Sequence, residues 1–196
     1  MKLNSNFYLR KSVTTIAQEL LGKILVTRIN GITTSGMIVE TEAYSEIERG
    51  SHAYKGITKR NEIMFANGGV AYVYLCYGVH EMFNVVTNVE GKADAVLIRA
   101  LEPLKGIEFM LDRVNKKSLK GITSGPGKLT KALGIDRSHN GKKLNSKELW
   151  VEDRGIKINR SLIISDQRIG IDYAGQDALL PWRFYLKNNL WVSNLK

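Results

Sequence analysis

Residues 36–44 read GMIVETEAY, and this stretch decides the character of the fold. It is rich in residue types that favour extended backbone, and turn signals precede it at Asn30-Gly31 and Ser35-Gly36. We therefore predict a strand over Gly36–Tyr44, after an earlier strand over Lys23–Ile29.

Farther along the chain, other segments combine strand-forming residues with flanking turn formers. These predicted strands are Val70–Tyr77, Met82–Val89, Ala93–Ala100, Ser161–Ser165 and Trp182–Leu186. Helical spacing predicts three helices, the first capped by Ser12 and ended by Gly22, the others at Gly106–Val114 and Gly127–Leu133. Strands grouped centrally, with helices around them, favour an α+β protein with a largely antiparallel sheet.

The composition is that of one ordinary domain, which we place over residues 1–196. Hydrophobic residues make up 43% and charged residues 24% of the chain. No run of about 18 apolar residues is present, so we expect no membrane contact. Met1–Lys11 has no apolar core of a secretory signal, and a single cysteine, Cys76, suits a reducing cytoplasm.

The charge balance is strongly basic. Twenty-nine Lys and Arg against 19 Asp and Glu give a formal net charge of +10. Such an excess favours polyanionic partners, because cationic side chains displace counterions from phosphates. A basic surface that only keeps the protein in solution would explain the same numbers. The net charge is compatible with a nucleic acid partner but does not identify one.

Two carboxylates lie on one face of the strand over Gly36–Tyr44. Side chains alternate at period two, so Glu40 and Glu42 point the same way, about 7 Å apart, with Tyr44 next to them. Repulsion between them favours proton binding at one, which makes the pair a candidate general base. The alternative is an exposed edge strand with solvated glutamates.

The strand over Val70–Tyr77 carries three tyrosines. Tyr72 and Tyr74 share a face with Cys76, and such a wall can stack a planar base. Tyr77, followed by a glycine, is placed to wedge into the space that a flipped nucleotide leaves. Ordinary core packing would explain the tyrosine pair equally well.

Two further signals involve basic residues. Arg99 lies in the apolar strand Ala93–Ala100, where a guanidinium needs a carboxylate or a phosphate partner. A structural ion pair and a role beside Glu42 both remain open. Gly125-Pro126-Gly127-Lys128 lacks P-loop spacing, but a helix start with Lys128 can hold a backbone phosphate. A plain helix start is the alternative.

No metal site or catalytic triad is expected. His52, His80 and His139 show no metal-ligand spacing, and one cysteine cannot complete a zinc site. No G-x-S-x-G motif accompanies Ser51-His52. We therefore expect neither a metal nor a cofactor.

Together these segments resemble the alkyladenine (3-methyladenine) DNA glycosylase family, from about residue 10 onward. The ordered set is specific, although each motif alone is weak. The matching stretches are Leu20–Lys23, Val39–Tyr44, Ser51–Ala53, Arg60-Asn61, Met64-Phe65, Tyr72–Tyr74 with Tyr77-Gly78, Asn84, Leu97–Pro103, Gly125–Leu129, Arg168–Ile171 and Trp182–Tyr185. The resemblance implies a single compact α+β domain with a curved, largely antiparallel sheet and peripheral helices.

The resemblance also implies roles for single residues. Glu42 corresponds to the general base, and Arg99 and the backbone carbonyl of Ile169 to other partners of the nucleophilic water. The pocket for the extruded purine corresponds to Tyr44, His52, Tyr74 and Asn84, with Asn84 opposing some exocyclic groups. Tyr77 corresponds to the residue that intercalates into the duplex. Arg60 and Lys128 are expected at the DNA backbone.

The chain departs from the family pattern at two places. Lys59 stands where the family usually has proline, and Val79-His80-Glu81 follows Tyr77-Gly78. Both segments are expected near DNA, so loop geometry and lesion preference stay open.

The expected protein is thus a monofunctional glycosylase. No lysine stands at the Glu42 position, so water displaces the base and leaves an abasic site. Its partner is double-stranded DNA with an alkylated or deaminated purine, and it acts as a monomer in the cytoplasm, on the nucleoid if bacterial. The alternatives are a non-catalytic basic nucleic-acid-binding module and a metal-dependent nuclease that uses Glu40 and Glu42.

Overall fold

Eight strands form one antiparallel sheet in the computed structural model, which describes residues 1–193. The strands are β1 (Ile24–Ile29), β2 (Ile32–Tyr44), β3 (Ala71–Cys76), β4 (His80–Thr87), β5 (Asp94–Lys105), β6 (Leu149–Glu152), β7 (Ile163–Asp166) and β8 (Arg183–Leu186). The helices are α1 (Ser5–Tyr8), α2 (Val13–Leu20), α3 (Ile107–Val114) and α4 (Pro126–Leu133), and short 3₁₀ segments lie at Glu62–Phe65, Arg137–His139, Arg160–Leu162 and Asp172–Leu179.

The order of the main sheet is β3-β4-β5-β2-β1-β6, with β7 and β8 added beside it. β2 lies at the branch point. It pairs with β5 along one edge, while its other edge pairs first with β1 and then with β8. This branching curls the sheet and confirms the expected α+β class with a curved antiparallel sheet. It also makes the expectation of an exposed edge strand wrong, because β2 is covered on both edges.

The register between β2 and β5 shifts twice at the functional centre. Ile38 pairs with Leu101 and Glu40 with Ala100, but Thr41 pairs with Ile98. Val39 on one strand and Arg99 on the other are therefore skipped. Bulges of this kind redirect side chains and often occur beside active sites. Here the irregularity brings Arg99 beside the glutamates of β2.

The helix α2 anchors β2 from one face of the sheet. Ser12 caps it as expected, because the Thr15 backbone N–H donates to its hydroxyl oxygen at 3.2 Å. A buried stripe of Val13, Ile16, Ala17 and Leu20 packs in the main core. The Thr41 hydroxyl, between the two glutamates, donates to the Ala17 carbonyl at 2.9 Å. The helix thereby fixes the strand that carries the glutamates.

Several element boundaries differ from the sequence expectation. β5 continues five residues past Ala100, through Pro103, because β2 is long enough to pair with it as far as Lys105. β2 itself begins at Ile32 rather than Gly36. The strand expected over Ser161–Ser165 begins only at Ile163, after a 3₁₀ turn. α1 and β6 were not predicted, because an element of four residues is too short for a periodic pattern.

No helix within residues 1–193 is both long enough and apolar enough to cross a bilayer.

Candidate active site

Glu42 is fully buried, and three groups from different parts of the chain hold its carboxylate. The Ile169 backbone N–H donates to Oε1 at 2.7 Å, and Arg99 Nη1 lies 3.2 Å from the same oxygen. The Tyr44 hydroxyl donates to Oε2 at 2.8 Å. The three contacts stabilise the ionised carboxylate and fix its orientation.

Arg99 connects the two glutamates of β2. Its Nε donates to Glu40 Oε1 at 3.0 Å, while Nη1 faces Glu42. Burial lowers the pKa of Arg99, but the charges of Glu42 and Glu40 outweigh this effect, so its pKa lies above the ordinary value. The guanidinium is therefore charged and shared between two carboxylates.

Glu40 is also fully buried and has its own set of donors. Arg183 Nε on β8 donates to its Oε1 at 2.7 Å. Ser193 donates its backbone N–H to Oε2 at 2.7 Å and its hydroxyl to Oε1 at 2.8 Å. The two glutamates are thus not equivalent, because Glu42 contacts three groups that line the neighbouring cavity, whereas Arg99 is the one lining group that Glu40 contacts among the described residues.

A cavity of about 450 Å³ opens beside Glu42. Its walls include all four residues expected in the base pocket, together with Arg99, Ile169 and Tyr77. The residues that line it include Tyr44, His52, Arg60, Tyr72, Tyr74, Tyr77, Asn84, Arg99, Pro126, Ile169 and Tyr173. The volume and the aromatic lining suit a planar organic group of purine size.

The aromatic wall of the cavity is held by contacts between its members. The rings of His52 and Tyr74 lie 4.5 Å apart at 63°, and those of Tyr72 and Tyr74 lie 5.3 Å apart at 34°. His52 Nδ1 shares a hydrogen bond of 3.0 Å with the Tyr72 hydroxyl. The Asn84 side chain donates to the Tyr72 carbonyl at 3.1 Å. The wall is therefore largely preformed.

The aromatic groups around the cavity are electrically neutral. Burial, and then the nearby Arg60, lower the pKa of His52 to about 4. Burial raises the pKa of Tyr72 to about 12. Burial and the charge of Glu42 raise the pKa of Tyr44 well above its ordinary value. At neutral pH the imidazole is uncharged and both hydroxyls keep their protons.

Tyr44 and Ile169 lie beside a further buried ion pair, between Arg168 and Glu48. Arg168 binds Glu48 through two hydrogen bonds, of 2.7 and 2.9 Å, and donates to the Ala43 carbonyl. Its guanidinium lies 4.7 Å from the centre of the Tyr44 ring. The sequence matched Arg168 to the family, but nothing in it identified Glu48 as the partner.

Tyr77 lies at the tip of the β3–β4 hairpin, at the rim of the cavity. Its side chain is 92% exposed, and its backbone has φ of +50°, followed by Gly78 at +71°. The turn reverses the strand within three residues, because Cys76 pairs with His80. Val79 on the same tip is 72% exposed. The hairpin thus presents an apolar wedge to solvent.

The two cations expected at the DNA backbone lie in different places. Arg60 is exposed at the cavity, with its guanidinium 5.5 Å from the centre of the Tyr74 ring. Lys128 lies outside the cavity, in a separate groove beside α4 that it shares with three other lysines, Lys116, Lys120 and Lys131. Pro126 lines the cavity, so α4 separates the two features.

Some site residues could not be recognised by sequence reasoning alone. Asn61 is buried and binds the carbonyls of His52 and Gly56 at 2.8 and 2.9 Å, which shapes the loop that carries His52. Arg183 and Ser193 reach Glu40 from distant positions in the chain. Asn61 and Arg183 fell in matched stretches, but Ser193 had no signal.

Metal-ligating geometry is not found over residues 1–193, where no three His, Cys, Asp or Glu side chains are grouped to hold an ion. Glu40 and Glu42 are instead bound by arginines. This arrangement does not favour the metal-dependent nuclease considered above.

A buried carboxylate beside an aromatic cavity, in a basic α+β protein, fits a hydrolase that acts on N-glycosyl bonds in DNA. The family model described as Methylpurine-DNA glycosylase (MPG) matches residues 6–190. The chain belongs to this family, and the resemblance inferred from the sequence is confirmed.

Curated relatives carry matching names. A protein of Carboxydothermus hydrogenoformans named as a 3-methyladenine DNA glycosylase is 48% identical over 193 residues, covering 98% of this chain and 99% of the relative. A protein of Clostridium tetani with the same name is 46% identical over 205 residues, with the same coverage. Similarity therefore extends over nearly the whole length of both chains.

The lowered pKa of His52 predicts a dependence of stability on pH. Between pH 6.5, where an unfolded histidine titrates, and about 4, the unfolded chain binds a proton that folded His52 does not. The free energy of unfolding should therefore fall as the pH decreases through this window. Urea unfolding at several pH values measures it, and His52→Asn should flatten the dependence. An NMR titration of the His52 ring near pH 6.5 would contradict the prediction.

Proposed function

We propose that the protein flips an alkylated purine, such as 3-methyladenine, out of duplex DNA and hydrolyses its N-glycosidic bond with water activated by Glu42. The observation that carries the proposal is the buried Glu42 carboxylate, fixed by three donors at the wall of an aromatic cavity. The names of the relatives support 3-methyladenine as a substrate.

The contacts of Glu42 suggest where the water is held. Each carboxylate oxygen has two lone pairs, and Oε1 already accepts from Ile169 and Arg99. Oε2 accepts from Tyr44, which leaves one lone pair for a water O–H. The family resemblance assigns Arg99 and the Ile169 carbonyl as its further partners; Ile169 is also the residue whose N–H donates to Glu42.

The reaction then proceeds by displacement at the sugar. The water oxygen forms a bond to C1′ while the bond from C1′ to the purine nitrogen breaks, and Glu42 takes a water proton. The electron pair of the broken bond goes to the base. A 3-methylated adenine is cationic in DNA and leaves as a neutral molecule. The products are the free base and an abasic site.

The neutral aromatic lining suits a cationic base. Stacking returns about 1–3 kcal/mol per base, comparable with the few kcal/mol that flipping costs. Cation–π attraction to the electron-rich rings adds about 0.5–2 kcal/mol for a cationic purine. Because His52 is uncharged at neutral pH, it does not repel such a base. A neutral lesion such as hypoxanthine lacks this gain and needs protonation to leave.

One chain contains the whole cavity, so we infer that a monomer suffices for the activity. DNA as the substrate and a single cysteine suit a cytoplasmic protein, acting on the nucleoid in a bacterial cell.

Glu42→Gln should abolish base release while leaving binding to abasic DNA within about twofold, because the amide cannot take the water proton. The measurement is product analysis on duplexes with 3-methyladenine, hypoxanthine or ethenoadenine. Glu62→Gln, on an exposed residue, is the matched control and should behave like the parent protein. Equal loss of binding and catalysis in Glu42→Gln would contradict the general-base role.

Tyr77→Ala should weaken base flipping, because the exposed hairpin ring fills the space that the extruded nucleotide leaves. Fluorescence of a 2-aminopurine beside the lesion measures base unstacking. Tyr54→Ala removes another exposed tyrosine, one that does not line the cavity, and should change nothing. An unaltered fluorescence change in Tyr77→Ala would count against the wedge.

Lys128 should contact a backbone phosphate, because it lies in the lysine-lined groove beside α4. DNA affinity should fall steeply with salt, and Lys128→Gln should reduce the slope of log K against log salt by about 1. Lys157→Gln, an exposed lysine in the loop after β6, is the control. Equal slopes for the parent and Lys128→Gln would show that Lys128 does not contact the DNA backbone.

A further inference from the structure

Glu40 takes no part in the proposed reaction, although it has more polar contacts than the other buried carboxylates near the site, Glu42 and Glu48. It is fully buried and binds three elements, through Arg99 of β5, Arg183 of β8 and Ser193 of the C-terminal segment. Its four polar contacts come from three separate segments of the chain and therefore fix where the carboxylate lies.

The position of Glu40 determines the position of Arg99. The planar guanidinium places one edge on each glutamate, with Nε 3.0 Å from Glu40 Oε1 and Nη1 3.2 Å from Glu42 Oε1. A rigid fork anchored at Nε has little freedom to move its Nη1. The contact of Nη2 with the Ser193 hydroxyl, at 3.5 Å, adds a weak third anchor.

Glu40 also separates the charges of two arginines. Along the buried row the signs alternate, in the order Glu42, Arg99, Glu40 and Arg183. Arg183 reaches Asp166 at 3.4 Å as well, but Asp166 is half exposed and screened by solvent. Without Glu40, both arginine charges would act on Glu42 and make its carboxylate a weaker base.

We propose that Glu40 is a positioning residue, locked by Ser193, that holds Arg99 against Glu42 and keeps Glu42 basic enough to accept the water proton. This inference rests on the proposed function. The competing explanation is purely structural: Glu40 would only tie β8 and the C-terminal segment to β2. The two explanations differ in kinetics, since a structural tie affects stability without changing the chemical step.

The first test is Glu40→Gln, measured as single-turnover base release from 3-methyladenine DNA at saturating enzyme. The rate constant should fall about tenfold or more, with abasic-DNA affinity within about twofold. The acidic limb of the pH–rate profile should move to lower pH, because one negative charge facing Glu42 is lost. The other groups facing Glu42 are Arg99, Tyr44, Tyr74 and the Ile169 N–H, with Arg168 stacked on Tyr44, and all are retained.

A second pair of variants decides the matter if Glu40→Gln fails to fold. Ser193→Ala removes the hydroxyl donor but keeps the backbone N–H, and should lower the rate about threefold. Ser193→Thr keeps both donors and should restore it. Glu102→Gln loosens the same C-terminal segment at Asn189, bound at 2.9 Å, without touching the charge row, and should leave the rate unchanged.

An unchanged rate and pH profile in folded Glu40→Gln, or equal rates for Ser193→Ala and Ser193→Thr, would overturn the proposal. The proposed function fails separately, if the parent protein releases no base or Glu42→Gln still does. Suppose that the parent protein releases the base, that Glu42→Gln does not, and that Ser193→Ala releases it at the parent's rate. Only the proposed role of Glu40 would then be rejected.

Discussion

Two carboxylates and two guanidiniums lie in a row at the centre of the sheet, in the order Glu42, Arg99, Glu40 and Arg183. A buried charge that loses its partner costs several kcal/mol, so no member of the row can move without the others. The row spans β2, β5 and β8 and therefore fixes how these strands pair. The row also explains the register shifts at Arg99, because a regular ladder would not place the guanidinium between the two glutamates.

The cavity depends on the same row, because Glu42 binds Tyr44, Arg99 and Ile169, which line the cavity. The aromatic walls are neutral at physiological pH, since burial lowers the pKa of His52 and raises that of Tyr72. The charged residues that line the cavity are Arg99, which is paired with Glu42, and the exposed Arg60.

Local patterns predicted most of the fold. The helix cap at Ser12 needed only neighbouring residues, and the central strands were recognised by composition alone. β5 beyond Ala100 was missed, because its pairing is decided by the length of β2 and not by its own residues. The pocket residues were placed together by resemblance to a family. Spacing along the chain could not do so, because they come from β2, β3, β4 and the loop before Asn61.

The sequence by itself determined that Gly36–Tyr44 forms a strand with two glutamates on one face. It also determined that the chain is basic, that one strand is rich in tyrosine, and that another, apolar strand contains an arginine. It could not distinguish Glu40 from Glu42 by physical reasoning, since both have the same residue type and the same parity. The tertiary structure decided this, by bringing Arg183 and Ser193 to Glu40 across 143 and 153 residues, and Ile169 to Glu42 across 127. The electrostatic environment of a carboxylate depends on distances in space, and these exist only after the strands have paired.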